Sequence, residues 1–357
     1  MMGVIFYEGF GQCATGDQVR GVHKGLALNW NYYTEGASNE IAIAALEDGD
    51  MGVKKSIEFP DTGHDYRLMG SLGGDYSTLT IGVRVYRYDA NVCGIFQISA
   101  GPTAVGFIGI HSDGTLRYTK DAAGLLNDGT ESWGTTGTVT QSIWTYCEVK
   151  IVLSNTVGEV YFYLDGTLDS SQTGIDTVGP AGTEYANGIE MSYSATSSGS
   201  VGNWLFTDIY VSDGDVLGKV ECYYQPADTA GSAANFTPLS GSNHENVDET
   251  TDPDGDTTYN YSTSTGTKDQ IAHDVTHTFG PTAIQPVAWA KAVDDEGAAK
   301  VKLGVLSDTT EDLGTAQYVG SEYTPLKGDI YETDPATSSA WTASGADDAE
   351  TVIQHAT

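Results

Sequence analysis

Alternation of apolar and polar side chains is the dominant pattern along this chain. Residues 78–88 (TLTIGVRVYRY) and 146–153 (YCEVKIVL) follow the two-residue period of a half-buried β-strand. Residues 158–166 (GEVYFYLDG) continue the pattern, and the polar segment 154–157 before them is typical of a turn. The segments 146–153 and 158–166 therefore predict a β-hairpin.

Turn signals are frequent, and long helical periodicities are nearly absent. The chain contains 44 glycines, and Asp165-Gly166 is typical of a tight hairpin turn because both residue types reach positive φ. Residues 37–47 suit either a short helix or a strand, whereas residues 347–355 predict a short C-terminal helix. Strands at this spacing, with turns between them, predict an all-β fold of antiparallel sandwiches.

Charge divides the chain near residue 218. Residues 1–218 carry 10 basic and 26 acidic side chains, whereas the shorter stretch 219–357 carries 6 and 23. We therefore expect two domains, 1–217 and 218–357.

The second domain contains both strand-like and polar segments. Residues 284–292 and 299–305 are apolar runs around an acidic turn and predict a hairpin. The polar segment 227–264 is long for a connection within a compact domain. It predicts either a surface loop or an arm that crosses a neighbouring subunit.

The overall charge limits the classes of partner. Forty-nine acidic residues against 16 basic ones give a net charge of −33. This charge repels nucleic-acid phosphates and anionic membrane surfaces, so we expect neither partner. The chain starts Met1-Met2-Gly3 and leads directly into a strand-like segment, so we also expect no export signal.

The order of the strand motifs resembles the concanavalin A-like lectin/glucanase jelly roll in its laminin-G-like form. Residues 6–10 (FYEGF) resemble its opening strand, the hairpin at 144–166 its central pair, and residues 203–213 (NWLFTDIYVSD) its closing strand. The resemblance implies that residues 1–217 form a concanavalin A-like jelly-roll β-sandwich. Residues 218–357 would then form a second, smaller β-sandwich domain.

Two segments of the second domain resemble the C-terminal β-domain of tailed-bacteriophage virion proteins. They are residues 245–259, which include DPDGDTTY, and residues 331–342, which include DPATSSAWT. This resemblance implies a non-enzymatic structural protein on the exterior of the virion, either a head decoration (cement) protein or a tail or neck fibre. It also implies that the partners are other capsid or tail proteins and that the protein is a homo-oligomer, commonly a trimer.

Aromatic residues in loop-like segments are the candidates for a glycan site. Trp30, Tyr32 and Tyr33 lie in the string WNYY, and Trp133 lies in a segment rich in Gly and Thr. Lectins stack such rings on sugars, but Tyr and Trp are also enriched at subunit contacts. A lectin module that binds a host surface glycan is therefore the alternative function.

Catalytic signatures are weaker than these resemblances. Glycanases of the jelly-roll family use two carboxylates close enough to act as acid and nucleophile. Glu148 and Glu159 stand singly on predicted strands, and the string Glu-x-Asp-x-x-Glu is absent. His273 and His277 lie four residues apart on a predicted strand, about 13 Å, which is too far to share one metal ion. We therefore predict no enzymatic activity, and a glycanase is the least favoured alternative.

Asp252, Asp254 and Asp256 alternate as at the start of an EF-hand loop. Thr257 and Thr263 stand where that loop needs Gly and Glu, so the EF-hand interpretation fails. A looser calcium site and a solvated Asp-Pro-Asp-Gly turn both fit the sequence. The sequence predicts no other cofactor.

Overall fold

A computed structural model describes most of the chain. The described residues are 3–8, 31–34, 42–48, 52–59, 66–88, 90, 92–120, 132–180, 182–193, 204–249, 254–293 and 299–356. They form two compact units that divide after Tyr223. No helix among them is long and apolar enough to cross a membrane.

The described part of the first unit is built from β-strands. These are β1 (Val4–Glu8), β2 (Asn31–Thr34), β3 (Ala42–Asp48), β4 (Gly52–Phe59), β5 (Tyr66–Tyr76), β6 (Thr78–Arg87), β7 (Cys93–Ala100), β8 (Thr103–Ile110), β9 (Leu116–Thr119), β10 (Ser132–Gly134), β11 (Trp144–Val152), β12 (Gly158–Leu164), β13 (Thr167–Ile175), β14 (Ala186–Tyr193) and β15 (Trp204–Ser212). Residues 37–47, which suited helix or strand, thus overlap β3.

These strands form two antiparallel sheets. Sheet A has the order β13-β12-β11-β6-β15-β4-β3, with β1 paired to β15, and sheet B has the order β10-β9-β8-β7-β14-β5-β2. The chain crosses repeatedly from one sheet to the other, for example from β5 to β6 and from β14 to β15, as in a jelly roll. The predicted all-β sandwich is confirmed.

The core lies between the two sheets because alternate side chains point to one face of each strand. In sheet A, Val149, Ile81 and Val211 lie side by side across β11, β6 and β15, and all three are buried. In sheet B, Phe96 and Ile108 are buried in the same cluster. Burial of such a side chain stabilises a fold by roughly 1.5–3 kcal/mol.

The predicted central hairpin is confirmed. β11 pairs with β12 in antiparallel register, with Val149 opposite Phe162. Asp165 and Gly166 have φ of 49° and 77°, so both adopt the left-handed conformation that the turn requires. The opening strand β1 pairs with the closing strand β15, with Tyr7 opposite Tyr210.

The second unit contains more strands and two short helices. Its strands are β16 (Thr229–Ala234), β17 (Thr237–Pro238), β18 (Asn260–Tyr261), β19 (Lys268–Ala272), β20 (Val287–Ala290), β21 (Lys300–Ser307), β22 (Thr310–Leu313), β23 (Gln317–Tyr318), β24 (Thr324–Lys327) and β25 (Glu350–Ala356). Its helices are the 3₁₀-helix η1 (His244–Asn246) and the α-helix α1 (Ala343–Asp347). Sheet C has the order β16-β19-β25-β21-β22, with β23 paired to β21, and two ribbons pair β17 with β18 and β20 with β24.

The predicted C-terminal helix at 347–355 is wrong. Glu350–Ala356 is β25, a central strand of sheet C that pairs with β19 on one side and β21 on the other. Val352 is fully buried there, next to the β-branched Thr351 and Ile353. The α-helix α1 ends at Asp347, and Thr342 caps its start by accepting a hydrogen bond from the N–H of Gly345 at 3.0 Å.

The predicted hairpin of 284–292 with 299–305 is also wrong. β20 pairs with β24, with Ala288 opposite Leu326, whereas β21 pairs with β22, β23 and β25. Leu303 and Leu326 share one apolar cluster, with Ala288 packed against it. The two runs therefore lie in different sheets, because distant segments offer them better partners than each other.

The polar segment 227–264 carries secondary structure in its described part, namely β16, β17, η1 and β18. Buried Asp269 on β19 organises this segment. It accepts hydrogen bonds from the N–H of Phe236 at 2.8 Å and from Nδ2 of Asn243 at 2.6 Å. Side-chain groups thus replace the sheet hydrogen bonds that a polar segment lacks. Contact with a neighbouring subunit stays a prediction.

Candidate functional site

Sheet A has a second face, opposite the core, that carries a buried polar cluster. On β6, β11 and β15 the residues that alternate with the core positions include Arg84, Tyr146, Glu148 and Tyr210, and all four are buried. Asp208 joins them from an irregularity in β15. We call these five residues the outer-face cluster.

Gly82 makes room for two aromatic rings in this cluster. It lies opposite both Glu148 and Tyr210 in the sheet register. A Cβ at this position would stand 2.1 Å from Cε1 of Tyr210 and 2.8 Å from the hydroxyl of Tyr146. Glycine is therefore required here so that the rings can cover the strand.

Arg84 and Asp208 form a buried ion pair. Asp208 has φ of 49° and lies where the register of β15 shifts against β6, as in a β-bulge. The bulge directs its carboxylate to the same face as Arg84, whose Nε donates to Oδ2 at 2.9 Å. The hydroxyl of Tyr146 donates to the carbonyl oxygen of Asp208 at 3.1 Å. Such a pair is costly to break, since removal of one partner leaves the other charge buried.

Glu148 is a buried carboxyl group with one oxygen in use. Its Oε1 accepts from the hydroxyl of Tyr210 at 2.6 Å and from the N–H of Gly218 at 2.9 Å. Its Oε2 is buried without a hydrogen-bond partner among the described residues. Burial raises the pKa of Glu148, and these two hydrogen bonds offset only part of that effect.

Residues 217–222 cover the outer-face cluster, and we call them the strap. The strap has no strand pairing, so its N–H groups need other acceptors. The N–H of Leu217 donates to the Tyr210 hydroxyl at 3.0 Å, and that of Cys222 donates to Oδ1 of Asp208 at 3.0 Å. The N–H of Gly218 donates to Glu148. Cys222 Sγ contacts the carbonyl oxygen of Ile209 at 4.0 Å, and Lys219 pairs with Asp165 in the β12–β13 turn at 3.8 Å. Several polar contacts therefore hold the strap to sheet A.

The two acidic groups of this face therefore serve as acceptors for the backbone and for Arg84. The sequence identified Glu148 only as a single acid, and it did not predict the pairing of Arg84 with Asp208. The signal was a charged residue inside an apolar strand, as in Val83-Arg84-Val85. Such a residue needs a buried partner.

The aromatic candidates for glycan contact lie at different places. Trp133 is in β10, the edge strand of sheet B, and its ring stacks on buried Tyr118 at a centroid distance of 6.2 Å. Trp133 is half-buried and packs against the sandwich core. Tyr32 and Tyr33 lie in β2, the opposite edge of sheet B, and Trp30 lies outside the described residues.

A further group of aromatic rings was missed by the sequence prediction. Tyr86 contacts Tyr88 edge to face at 4.9 Å and Trp144 at 5.4 Å. Tyr88 is 43% exposed. The Nε1–H of Trp144 is buried and has no hydrogen-bond partner in the described chain. These rings lie at the ends of β6 and β11, where a β-strand spacing of two places Tyr86 and Tyr88 on one face.

The predicted calcium ligands are engaged in turn and ion-pair contacts. Asp254 accepts hydrogen bonds from the N–H and hydroxyl of Thr258 at 3.1 and 2.8 Å. Asp256 pairs with Lys291, and this contact lowers the pKa of the Asp256 carboxyl group. Asp252 lies outside the described residues. Within the described chain no group of three or more His, Cys, Asp or Glu side chains is arranged to hold a metal ion.

The segment 331–342 forms a tight turn around Asp334. This carboxylate accepts from the Ser307 hydroxyl at 2.6 Å and from the N–H of Ala336 at 2.9 Å. Trp341 is buried, and its Nε1–H donates to the carbonyl of Tyr331 at 2.8 Å. The segment thus closes the core of the second unit.

Comparisons with known proteins give matches of shape only. No protein-family model matches the chain, and no curated protein matches it at a significant level. The similar solved structures include an endo-β-1,4-glucuronan lyase from the fungus Trichoderma reesei, which is 12% identical, with 58% of this chain and 94% of the lyase covered and a TM-score of 0.38. An endo-1,3-β-glucanase from Streptomyces sioyaensis is 11% identical, with 59% and 96% covered and a TM-score of 0.36. The binding domain of botulinum neurotoxin serotype D/C is 9% identical, with 99% of both chains covered and a TM-score of 0.35. At these values the matches assign no activity or ligand to this chain.

Proposed function

We propose that the protein is a non-enzymatic structural component on the exterior of a tailed-phage virion. It acts through protein–protein contacts, as a head decoration protein or as a tail or neck fibre. The resemblance of residues 245–259 and 331–342 to phage virion proteins supports the phage assignment. Its partners are capsid or tail proteins and further copies of itself, with a trimer as the common arrangement.

One structural observation supports the non-enzymatic part of this proposal. Glu148 and Asp208, the two acids of the outer-face cluster, each accept a strap N–H, at 2.9 and 3.0 Å. A glycanase needs two carboxylates that reach a substrate from opposite sides of the bond. While the strap is in place both acids hold the chain's own backbone, and Asp208 is in addition paired with Arg84, so these acids do not reach a substrate.

The test is the location of the protein on the particle. Phage particles from the genome that encodes the chain should contain it by mass spectrometry. Antibodies against the recombinant protein should label the particle surface in electron micrographs. Absence from purified particles would overturn the proposal, as would release of reducing or unsaturated sugar ends from host polysaccharides by the purified protein.

Binding of a host surface glycan is the second candidate function. The cluster of Tyr86, Tyr88 and Trp144 favours it, since the exposed ring of Tyr88 is available to stack on a sugar and the buried Trp144 N–H lacks an acceptor among the described residues. Glycan-array binding by the wild type that is lost in Tyr88→Ala would support this function. Trp133→Ala distinguishes this cluster from the edge of sheet B, and a blank array with the wild type would exclude glycan binding for the polysaccharides on it.

A further inference from the structure

The strap and Glu148 together have the properties of a pH-dependent switch. Glu148 is fully buried, and its Oε2 has no hydrogen-bond partner among the described residues. The segment that covers it, the strap, has no strand pairing, and its N–H groups donate to side-chain acceptors that include Tyr210, Glu148 and Asp208. A segment without strand pairing opens more readily than a paired strand.

We propose that the strap is pH-responsive: it lies closed over sheet A while Glu148 is protonated, and it opens when Glu148 ionises. Opening lets water reach the buried Oε2 atom of Glu148, and it detaches the strap from sheet A. The neutral carboxyl group keeps both of its hydrogen bonds in the closed form, because Oε1 accepts from Tyr210 and Gly218 without carrying a charge.

The direction of the switch follows from proton linkage. Burial raises the pKa of Glu148 above the ordinary glutamate value of 4.5 in the closed form, whereas the hydrated carboxyl of the open form titrates near that ordinary value. The closed form therefore holds the proton more tightly, and rising pH shifts the population towards the open form. The effect begins near pH 4.5 and is complete above the pKa of the closed form.

The surrounding charged groups do not replace Glu148 in this role. The titratable and charged groups around it are Tyr146 and Lys150 on β11, Arg84 on β6, Asp208 and Tyr210 on β15, Tyr163 on β12, Asp215 before the strap, and Lys219, Glu221 and Cys222 in the strap itself. Arg84 is paired with Asp208, and Lys150 with Asp215. Burial raises the pKa of the Tyr210 hydroxyl, so it remains protonated across the range in question.

Hydrogen–deuterium exchange of the full chain tests the proposal. Exchange is measured by mass spectrometry on peptides that cover 214–223, between pH 4.5 and 8, and corrected for the intrinsic pH dependence of amide exchange. We expect protection of the strap amides in the wild type to fall by at least about threefold over this range. In Glu148→Gln, which is neutral at every pH, protection should stay constant.

Two further variants supply a matched control and a second readout for this experiment. Glu159→Gln changes an acid on the neighbouring strand β12 and should retain the wild-type profile. Tyr210→Phe removes a hydrogen bond to Glu148 and also the acceptor of the Leu217 N–H, so strap protection should be lower at every pH and the transition should extend to higher pH. This variant is the readout if Glu148→Gln does not fold. A flat wild-type profile, an equal fall in Glu148→Gln or an unmoved transition in Tyr210→Phe would each overturn the proposal.

Discussion

At the scale of single residues, the outer-face cluster shows how buried charge is kept stable. The side chains of Arg84 and Asp208 are both buried, and each satisfies part of the hydrogen-bonding capacity of the other. The positive φ of Asp208 suits Asp and Asn better than most other residue types. The position is therefore restricted both by charge and by backbone conformation.

Asp208→Asn should strongly destabilise the first unit. Asn tolerates the positive φ and keeps the shape, but it leaves the Arg84 charge buried without its partner. Breaking such a pair costs about 3–5 kcal/mol, and chemical denaturation followed by tryptophan fluorescence would measure it. Asp215→Asn removes a 79% exposed carboxylate from a pair with Lys150 and should change the unfolding free energy little. Equal effects of the two variants would contradict the buried-pair argument.

Asp334 makes the second unit sensitive to acid. Burial alone would raise the pKa of Asp334, but hydrogen bonds from Ser307, Ala336 and Thr337 outweigh this effect and lower the pKa below the ordinary aspartate value of 3.8. A lowered folded-state pKa stabilises the fold above the unfolded-state pKa, and this contribution is lost as pH falls through the folded-state pKa.

Asp334→Asn should therefore weaken the acid dependence of unfolding. We expect the wild type to lose stability more steeply than this variant between about pH 4 and pH 2. Thermal unfolding followed by circular dichroism would measure the two slopes. Asp308→Asn, on the exposed turn after β21, is the matched control for the loss of one carboxylate. A variant slope as steep as that of the wild type would contradict the role of Asp334.

At the scale of secondary-structure elements, β25 shows that position in a sheet outweighs local pattern. Its sequence, ETVIQHA, was predicted as part of a helix. In the structure it is hydrogen-bonded on both sides, with Val352 opposite Gln270 of β19 and Gly304 of β21. A strand in this position is paired along both of its edges, so its backbone N–H groups are needed by two neighbouring strands.

Val352→Pro should prevent the second unit from folding. Proline removes a ladder N–H in a central strand, where it is almost never found. Val352→Ala keeps the N–H and should cost only a few kcal/mol through lost packing, about 1–3. Limited proteolysis would separate the two cases: rapid cleavage after Tyr223 in the proline variant and a largely intact second unit in the alanine variant. Similar protection of both variants would contradict the central role of β25.

At the scale of the whole molecule, net charge is the dominant property. A charge of −33 on 357 residues causes self-repulsion in the folded state. The Debye length is about 30 Å at 0.01 M salt and about 8 Å at 0.15 M, so salt screens repulsion between distant surface groups.

Added sodium chloride should therefore raise the unfolding temperature, and calcium chloride at equal ionic strength should raise it by a similar amount. Asp254 already accepts a hydrogen bond from Thr258, and Asp256 is paired with Lys291. We therefore expect calcium to raise the unfolding temperature no further than sodium does. Differential scanning fluorimetry with both salts, in the wild type and in Asp254→Asn, would measure this. Extra stabilisation by calcium that disappears in Asp254→Asn would instead establish a calcium site.

The sequence by itself determined the all-β class, the sandwich core and the hairpin of β11 with β12. These features are encoded locally, because alternation over a few residues sets which face of a strand is buried. Asp165-Gly166 likewise carries its turn conformation in its own two residues. Opening and closing strands were also recognised, and they pair with each other.

Tertiary structure alone decided the pairing of β20 with β24, the strand at the C-terminus and the outer-face cluster. Each of these depends on segments far apart in the chain: Arg84 meets Asp208 across 124 residues, and Glu148 meets Gly218 across 70. The free energy of burying such groups depends on which distant segment covers them, and local patterns carry no information on that choice.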